Sequence, residues 1–293
     1  MNETQREATA ADSSSPLAGE GWGKGYGGPR TRIAPSPGSV RSPPSPTSGR
    51  GSVGLKPGEP WLWSQGWLDA IFGHWQAPID VIARNLPPGL EVDTFEGQAW
   101  VTVIPFRMSE VRPRWLPSVA PISEFLELNF RTYVVYRGSP GIYLMSVNAN
   151  KQAVVRLSTL LSPVAYKYLP LCFDKTTQGG RYHCDAQCAN GSRFTFFGEY
   201  SAGDTIGPAV EGTLDHWLLE RYRLYLADAR GRLRLVDVRH PPWIVRQASV
   251  TFDATSLARP FGFDLSRAPD HVHFSPGVVA HASRFKFVET SGA

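Results

Sequence analysis

Cysteine is scarce in this 293-residue chain: Cys172, Cys184 and Cys188 are the whole set. Three thiols make no disulfide framework, and an odd count fits a reducing compartment. The pair in HCDAQC, beside His183, has a permitted ligand spacing, but no second Cys/His pair lies nearby to complete four ligands. Both read as reduced thiols on or near a strand. Lysine is nearly as sparse, with only Lys56, Lys151, Lys167, Lys175 and Lys286 beyond residue 55. No apolar run approaches the roughly 18 residues of a membrane-spanning helix. The opening MNETQREATAADSSS has acidic residues and no apolar stretch, so it does not read as a secretory signal. A cytoplasmic protein with no membrane partner is expected. No glycine-rich phosphate loop stands out, because GEGWGKGYGG lies in a tail without a following strand or helix. Gly-x-Ser-x-Gly and Cys–His nucleophile arrangements are missing as well. Neither a cofactor nor a metal site is expected from these motifs.

Clustered positive charge is also lacking. The net charge is +4, but six of the 30 Lys+Arg and four of the 26 Asp+Glu fall within residues 1–55, leaving 24 against 22. The remaining arginines are scattered among carboxylates, so a nucleic-acid partner is not expected.

What is present divides at about residue 58. Residues 1–58 are about half Gly, Ser and Pro and cannot bury enough apolar surface to offset their ordering entropy, so they are expected to be disordered. Their texture resembles translated intergenic repeat, which places the true start downstream, with Val53 a candidate initiator. From residue 59 to 288 the chain reads as one domain with nine Trp and fifteen Phe in the whole sequence to draw on. Helical spacing falls at Ala77–Asn85 and Asn150–Leu161, and at the segment that follows Thr213, its cap. Leu90–Phe95 and Gln98–Met108 read as a hairpin across Glu-Gly. ELNFRTYVVY, from Glu127, reads as a strand with IYLMSVNA as its antiparallel partner. Further strands are expected near Gly180–Ala186, Ser192–Tyr200, Tyr222–Ala227, Arg232–Val238, Ala248–Asp253 and in HVHFSPGVVAH. Many antiparallel strands with two or three short helices indicate an α+β fold on a curled sheet or barrel.

ELNFRTYV carries the main question about function. Glu127, Asn129, Arg131 and Tyr133 alternate with Leu128, Phe130, Thr132 and Val134, so the strand has one polar and one mostly apolar face. The polar row either faces water, as one-sided antiparallel strands commonly do, or lines a pocket. Pointing inward, it would form a polar floor on which Arg131 clamps a carboxylate through its planar fork.

GHW at 73–75, LPPGLEVDTFEGQAWVTVIPFRM at 86–108, ELNFRTYV at 127–134, LDHWLLERYRLY at 214–225, VRHPPW at 238–243 and HFS at 273–275 together resemble the YqjF-like family of uncharacterised bacterial proteins. The resemblance covers nearly all of residues 60–285. It implies the fold of acetoacetate decarboxylase, a conical sheet around a cavity, in which a buried lysine of lowered pKa forms a Schiff base with a keto acid. On that plan Lys167 in SPVAYKY lies nearest in order to the catalytic lysine, although the adjacent-lysine pattern is missing. Glu127 stands where the decarboxylase presents its acid, holding Arg131 or moving a proton. Arg131, Asn129, Tyr133, Arg107 and His240 are the candidate substrate-binding residues, with a surface Arg107 and a hydrogen-bonded structural His240 as the plainer alternatives. Glu220-Arg221-Tyr222 reads as a helix-end pair, and Trp61, Trp63 and Trp67 as packing at the rim. His271 and His273 share a strand face, but two ligands without a nearby carboxylate do not make a metal site. Three functions fit: a decarboxylase-like enzyme on a small oxo- or carboxylic acid, a non-catalytic carrier or sensor using the same cavity, or a structural protein with a filled cone.

Overall fold

The computed structural model describes residues 54–187, 191–228 and 230–288. The expectations for residues 1–53 and for Cys188 lie outside them. In chain order the elements are β1 (Trp63–Ala77), α1 (Ile79–Arg84), β2 (Glu91–Val92), β3 (Ala99–Pro113), α2 (Ala120–Ser123), β4 (Phe125–Tyr136) and β5 (Ser139–Ala149). Next come α3 (Gln152–Leu161), β6 (Lys167–Tyr168), β7 (Cys172–Lys175), β8 (Gly179–Gln187), β9 (Arg193–Gly207) and α4 (Leu214–Leu219). The chain continues through β10 (Arg223–Ala227), β11 (Leu233–Arg239), β12 (Val245–Asp253), α5 (Thr255–Ala258), β13 (His271–Ala282) and β14 (Lys286–Phe287). None of the described helices is long and apolar enough to cross a membrane.

The sheet is a single curled surface that closes on itself and then forks. Strands β11, β10, β5, β4, β3, β1 and β13 are neighbours in that order, and β13 pairs back to β11, which completes a ring. All these pairings are antiparallel except β5 with β10. One half of β13 closes the ring through Val238↔Ala282 and Arg239↔His281, while Phe274 pairs with Arg246 of β12. From there a second leaf, β12–β9–β8–β7, extends off the ring.

Three bulges bend the long strands enough to close. Each adds one residue to one side of a ladder, which raises local twist. One falls between Leu68 and Gly73 on β1, with Asp69 at φ 50°, and one near Glu110 on β3, also at φ 50°. The third falls opposite Phe130/Arg131 of β4, where β5 inserts Met145.

The fork explains why β4 is buried on both sides. Its even row packs outward against the second leaf: Leu128 and Phe130 share a core cluster with Tyr182, Phe196 and Phe263. Its odd row points into the ring. The sheet is thus neither one-sided nor two-sided along its whole length, and the polar row of ELNFRTYV is enclosed.

The expected single domain on a curled, mostly antiparallel sheet is what the chain forms. Among the described residues, three of the five α-helices, α1, α3 and α4, fall where helical spacing placed them. The four-residue α2 and α5 are too short to carry a period. The 90–108 hairpin is the main difference. Its Glu96-Gly97 turn exists, with φ 50° and 81°, but only Phe95↔Gln98 bridges across it. Strand β2 instead pairs with β4, and the two edges of β3 are taken by β1 and β4.

Candidate functional site

The ring surrounds a half-open cavity of about 570 Å³. Its walls are apolar, with Phe72, Phe106, Phe125, Trp63, Trp67 and Trp243 supplying much of the surface. Val154, Leu157 and Ser158 of α3 cover one side, and Leu116, Pro117 and Val119 of the β3–α2 loop another. Into this space β4 presents Glu127, Asn129 and Arg131 from alternate positions.

Arg131 is buried, at 8% exposure. Its Nη2 donates to the Leu218 carbonyl at 3.2 Å, and its guanidinium lies 5.8 Å over the Phe72 ring. Its Nε has no hydrogen-bond partner, and among the described residues it makes no ion pair. The Asn129 Oδ1 beside it is unpartnered too. A buried charge without a counter-ion is unusual because the desolvation penalty is several kcal/mol. The cavity thus meets one buried cation with an unpartnered donor, Arg131 Nε, and one unpartnered acceptor, Asn129 Oδ1.

Glu127 is buried with no cation beside it. Desolvation pushes its carboxyl up to about 7, against hydrogen bonds from Tyr166, whose hydroxyl donates at 2.7 Å, and from Asn129. Burial and the adjacent carboxyl push the Tyr166 phenol well above its ordinary value, so Tyr166 stays a donor. A carboxyl titrating near neutrality at the edge of a cavity is suited to take or give a proton. It does not hold Arg131, as the sequence reading allowed.

The remaining candidates go elsewhere. Lys167 is exposed on β6, and Tyr166 beside it takes the inward position. Among the described residues no lysine lines the cavity. Tyr133 continues the odd row, but strand twist carries it past the cavity floor into the wall. It is fully buried against Trp217, with its hydroxyl donating to the Leu218 carbonyl at 2.9 Å. Arg107 ends on the outer side of the ring, 2.7 Å from the bulge residue Asp69. His240 Nδ1 donates to the Pro241 carbonyl at 2.8 Å and packs between Trp67, Tyr222 and Trp243. Of the rim tryptophans, Trp63 and Trp67 line the cavity, whereas Trp61 packs at a tilt against His281.

Two features escape reading by pattern. Tyr166 is the inward partner of Glu127 although 39 residues separate them. Helix α4, capped by Thr213, supplies the Leu218 carbonyl that anchors both Arg131 and Tyr133.

Comparison with known proteins agrees with this architecture. Residues 64–279 match the DUF2071 family, described as an uncharacterized conserved protein. The uncharacterized protein YqjF of Bacillus subtilis (strain 168) is 31% identical over 215 residues, 73% of this chain and 88% of that protein. Among solved structures, the enduracididine biosynthesis enzyme MppR complexed with pyruvate aligns with a TM-score of 0.51 at 14% identity, covering 80% of this chain and 93% of that one. Acetoacetate decarboxylase from Legionella pneumophila aligns with a TM-score of 0.51 at 12% identity, covering 80% and 92%. At such identities these two show the fold alone. The ring, the motifs along its strands and the match over most of its length make this chain a member of the DUF2071 family of uncharacterized conserved proteins and a relative of YqjF.

Proposed function

We propose that the ring cavity binds a small carboxylic acid with an apolar body, its carboxylate on Arg131, its reactive carbon near Glu127, and the Asn129 Oδ1 free to accept from a ligand hydroxyl. The observation that carries this reading is the unpartnered Arg131 Nε, buried in an apolar space that supplies no counter-ion. A carboxylate there would form charge-assisted hydrogen bonds in a low dielectric, which are among the strongest a protein makes. MppR, which shares the fold, holds pyruvate in its solved complex, so a 2-oxo acid is a fitting first probe. The apolar walls favour a longer tail than a methyl group. Glu127 then serves as the proton donor or acceptor for an oxo acid, with Tyr166 holding its orientation. This chemistry runs without an imine, since Lys167 stands outside the lining.

Calorimetric titration with pyruvate, 2-oxooctanoate and octanoate tests the reading. The unsubstituted chain should bind the eight-carbon acids more tightly than pyruvate. Arg131→Met, which keeps the volume and removes the charge, should weaken binding by about 30-fold to 5,000-fold, since losing one partner of a buried charged pair costs about 2–5 kcal/mol. A folded Arg131→Met that binds these acids as well as the unsubstituted chain would sink the proposal. Borohydride with pyruvate should leave Lys167 unlabelled; a reduced adduct there would replace this reading with Schiff-base chemistry.

A further inference from the structure

A second polar cluster lies apart from the ring cavity, and the linings of the two share no residue. His271 and His273 project from β13, and Asp215 from the first turn of α4 reaches them from 56 residues earlier in the chain. The carboxylate that two histidines alone would lack is therefore supplied by tertiary structure. His271 Nε2 lies 2.5 Å and His273 Nε2 3.1 Å from the same Asp215 Oδ1. One ligand atom from each of the three residues lies within 4.8 Å of the others. The group faces a cleft of about 330 Å³.

The proton positions behind His273 can be worked out one bond at a time. The Leu218 carbonyl only accepts, so the Tyr133 hydroxyl, 2.9 Å away, must donate to it. Tyr133 oxygen then accepts from Thr102 Oγ1 at 2.9 Å. With its one proton committed, Thr102 accepts from His74 Nδ1 at 2.9 Å. Neutral His74 is left with a lone pair on Nε2, which accepts from His273 Nδ1 at 3.0 Å. In the neutral imidazole of His273 the lone pair is therefore on Nε2, which lies 3.1 Å from the Asp215 carboxylate. Two acceptors then face each other, and something positive belongs between them. His273 Nε2 is buried and makes no hydrogen bond of acceptable geometry with Asp215 or any other group, which leaves that position open to a metal ion.

We infer that Asp215, His271 and His273 form a binding site for a divalent transition-metal ion of the zinc type. Two neutral imidazoles and one carboxylate are a common zinc set, with bonds of about 2.0–2.2 Å, and a fourth position remains toward the cleft. An ion would widen the close His271–Asp215 approach. The His74–Thr102–Tyr133 chain is the outer shell such a site requires, since it fixes the tautomer and the ring plane of His273. The remaining histidine–carboxylate pair on the second leaf, His183 with Asp174, is exposed and has no such support.

The test uses the full chain, stripped with chelator and titrated with Zn²⁺ by calorimetry and with Co²⁺ by visible absorption. One ion per chain is expected, with the d–d bands of a low-coordinate histidine site and a raised melting temperature. His271→Leu and Asp215→Asn should each weaken binding by about 100-fold or more. His74→Gln should weaken it by about 10-fold to 100-fold through the outer shell. His183→Gln should change nothing. If Asp215→Asn does not fold, His271→Leu, at a half-exposed position, decides. Absence of stoichiometric binding overturns the inference and leaves a His273–Asp215 ion pair. Equal binding in folded His271→Leu, or loss of binding in His183→Gln, overturns it equally.

Discussion

Arg221→Met should destabilise the fold by about 3–5 kcal/mol, the usual result of stranding one member of a buried ion pair. Arg221 Nη1 lies 2.9 Å from Asp93 Oδ2, and both side chains are almost wholly buried. The same guanidinium donates to the Trp217 carbonyl at 2.7 Å and lies 4.2 Å over the Trp217 ring. Burial already pushes the Asp93 carboxyl up despite the pull of Arg221, so without the guanidinium it has little to offset its desolvation. Asp93→Leu should cost a similar amount for the converse reason. The double variant should lose at least about 2 kcal/mol less than the two singles added together, because nothing charged is then left unpaired. Urea unfolding of all four proteins gives the comparison. Single losses below about 1 kcal/mol, or strict additivity, would refute the assignment. The pair also fixes the end of α4 against β2, so it holds in place the Leu218 carbonyl on which Arg131 rests.

Glu127→Gln should make the protein more stable at pH 8 and leave it nearly unchanged at pH 4. The Glu127 carboxyl is raised from 4.5 to about 7 on folding, so between those values the folded chain keeps a proton the unfolded chain has released. Stability therefore falls as pH rises from about 4.5, and the loss is complete once pH passes about 7. The shift corresponds to about 3 kcal/mol at most. Glutamine keeps the Tyr166 and Asn129 contacts within reach and cannot ionise. The difference in unfolding free energy between variant and parent, followed from pH 4 to 8, should rise through that window and then level. Parallel profiles would mean that Glu127 ionises normally, and with that the case for it as a proton carrier near neutrality would go.

Much of the architecture is legible in the sequence because strand period, turn residues and caps are local signals. Strands β4 and β5, the 3.6-residue spacing of α3 and the Thr213 cap of α4 follow from neighbours in the chain. The alternation in ELNFRTYV gives two faces but not their surroundings, since enclosure depends on a second leaf that departs from β13 more than a hundred residues later. Tyr133 illustrates the limit of a period-two argument: the row is regular, but twist moves its last member out of the cavity. Lys167 and Tyr166 are adjacent, and only the direction of the short β6 pairing with Asn148 and Ala149 decides which turns inward. Arg107 is diverted by Asp69, a partner created by a bulge. The Asp215–His271–His273 group combines an helix first turn with a distant strand, which no spacing rule connects.

The ring is fastened shut over a short length. Two ladder rungs join β11 to β13, and the stretch just before β1 lies across that join: Leu55 N–H donates to the Val238 carbonyl at 3.3 Å, and Arg239 Nη1 to the Lys56 carbonyl at 2.7 Å. Leu55 is itself buried. These few residues act as a clasp on the parting line of the barrel. A version trimmed to Glu59 would therefore have its wall held by the two rungs without the clasp.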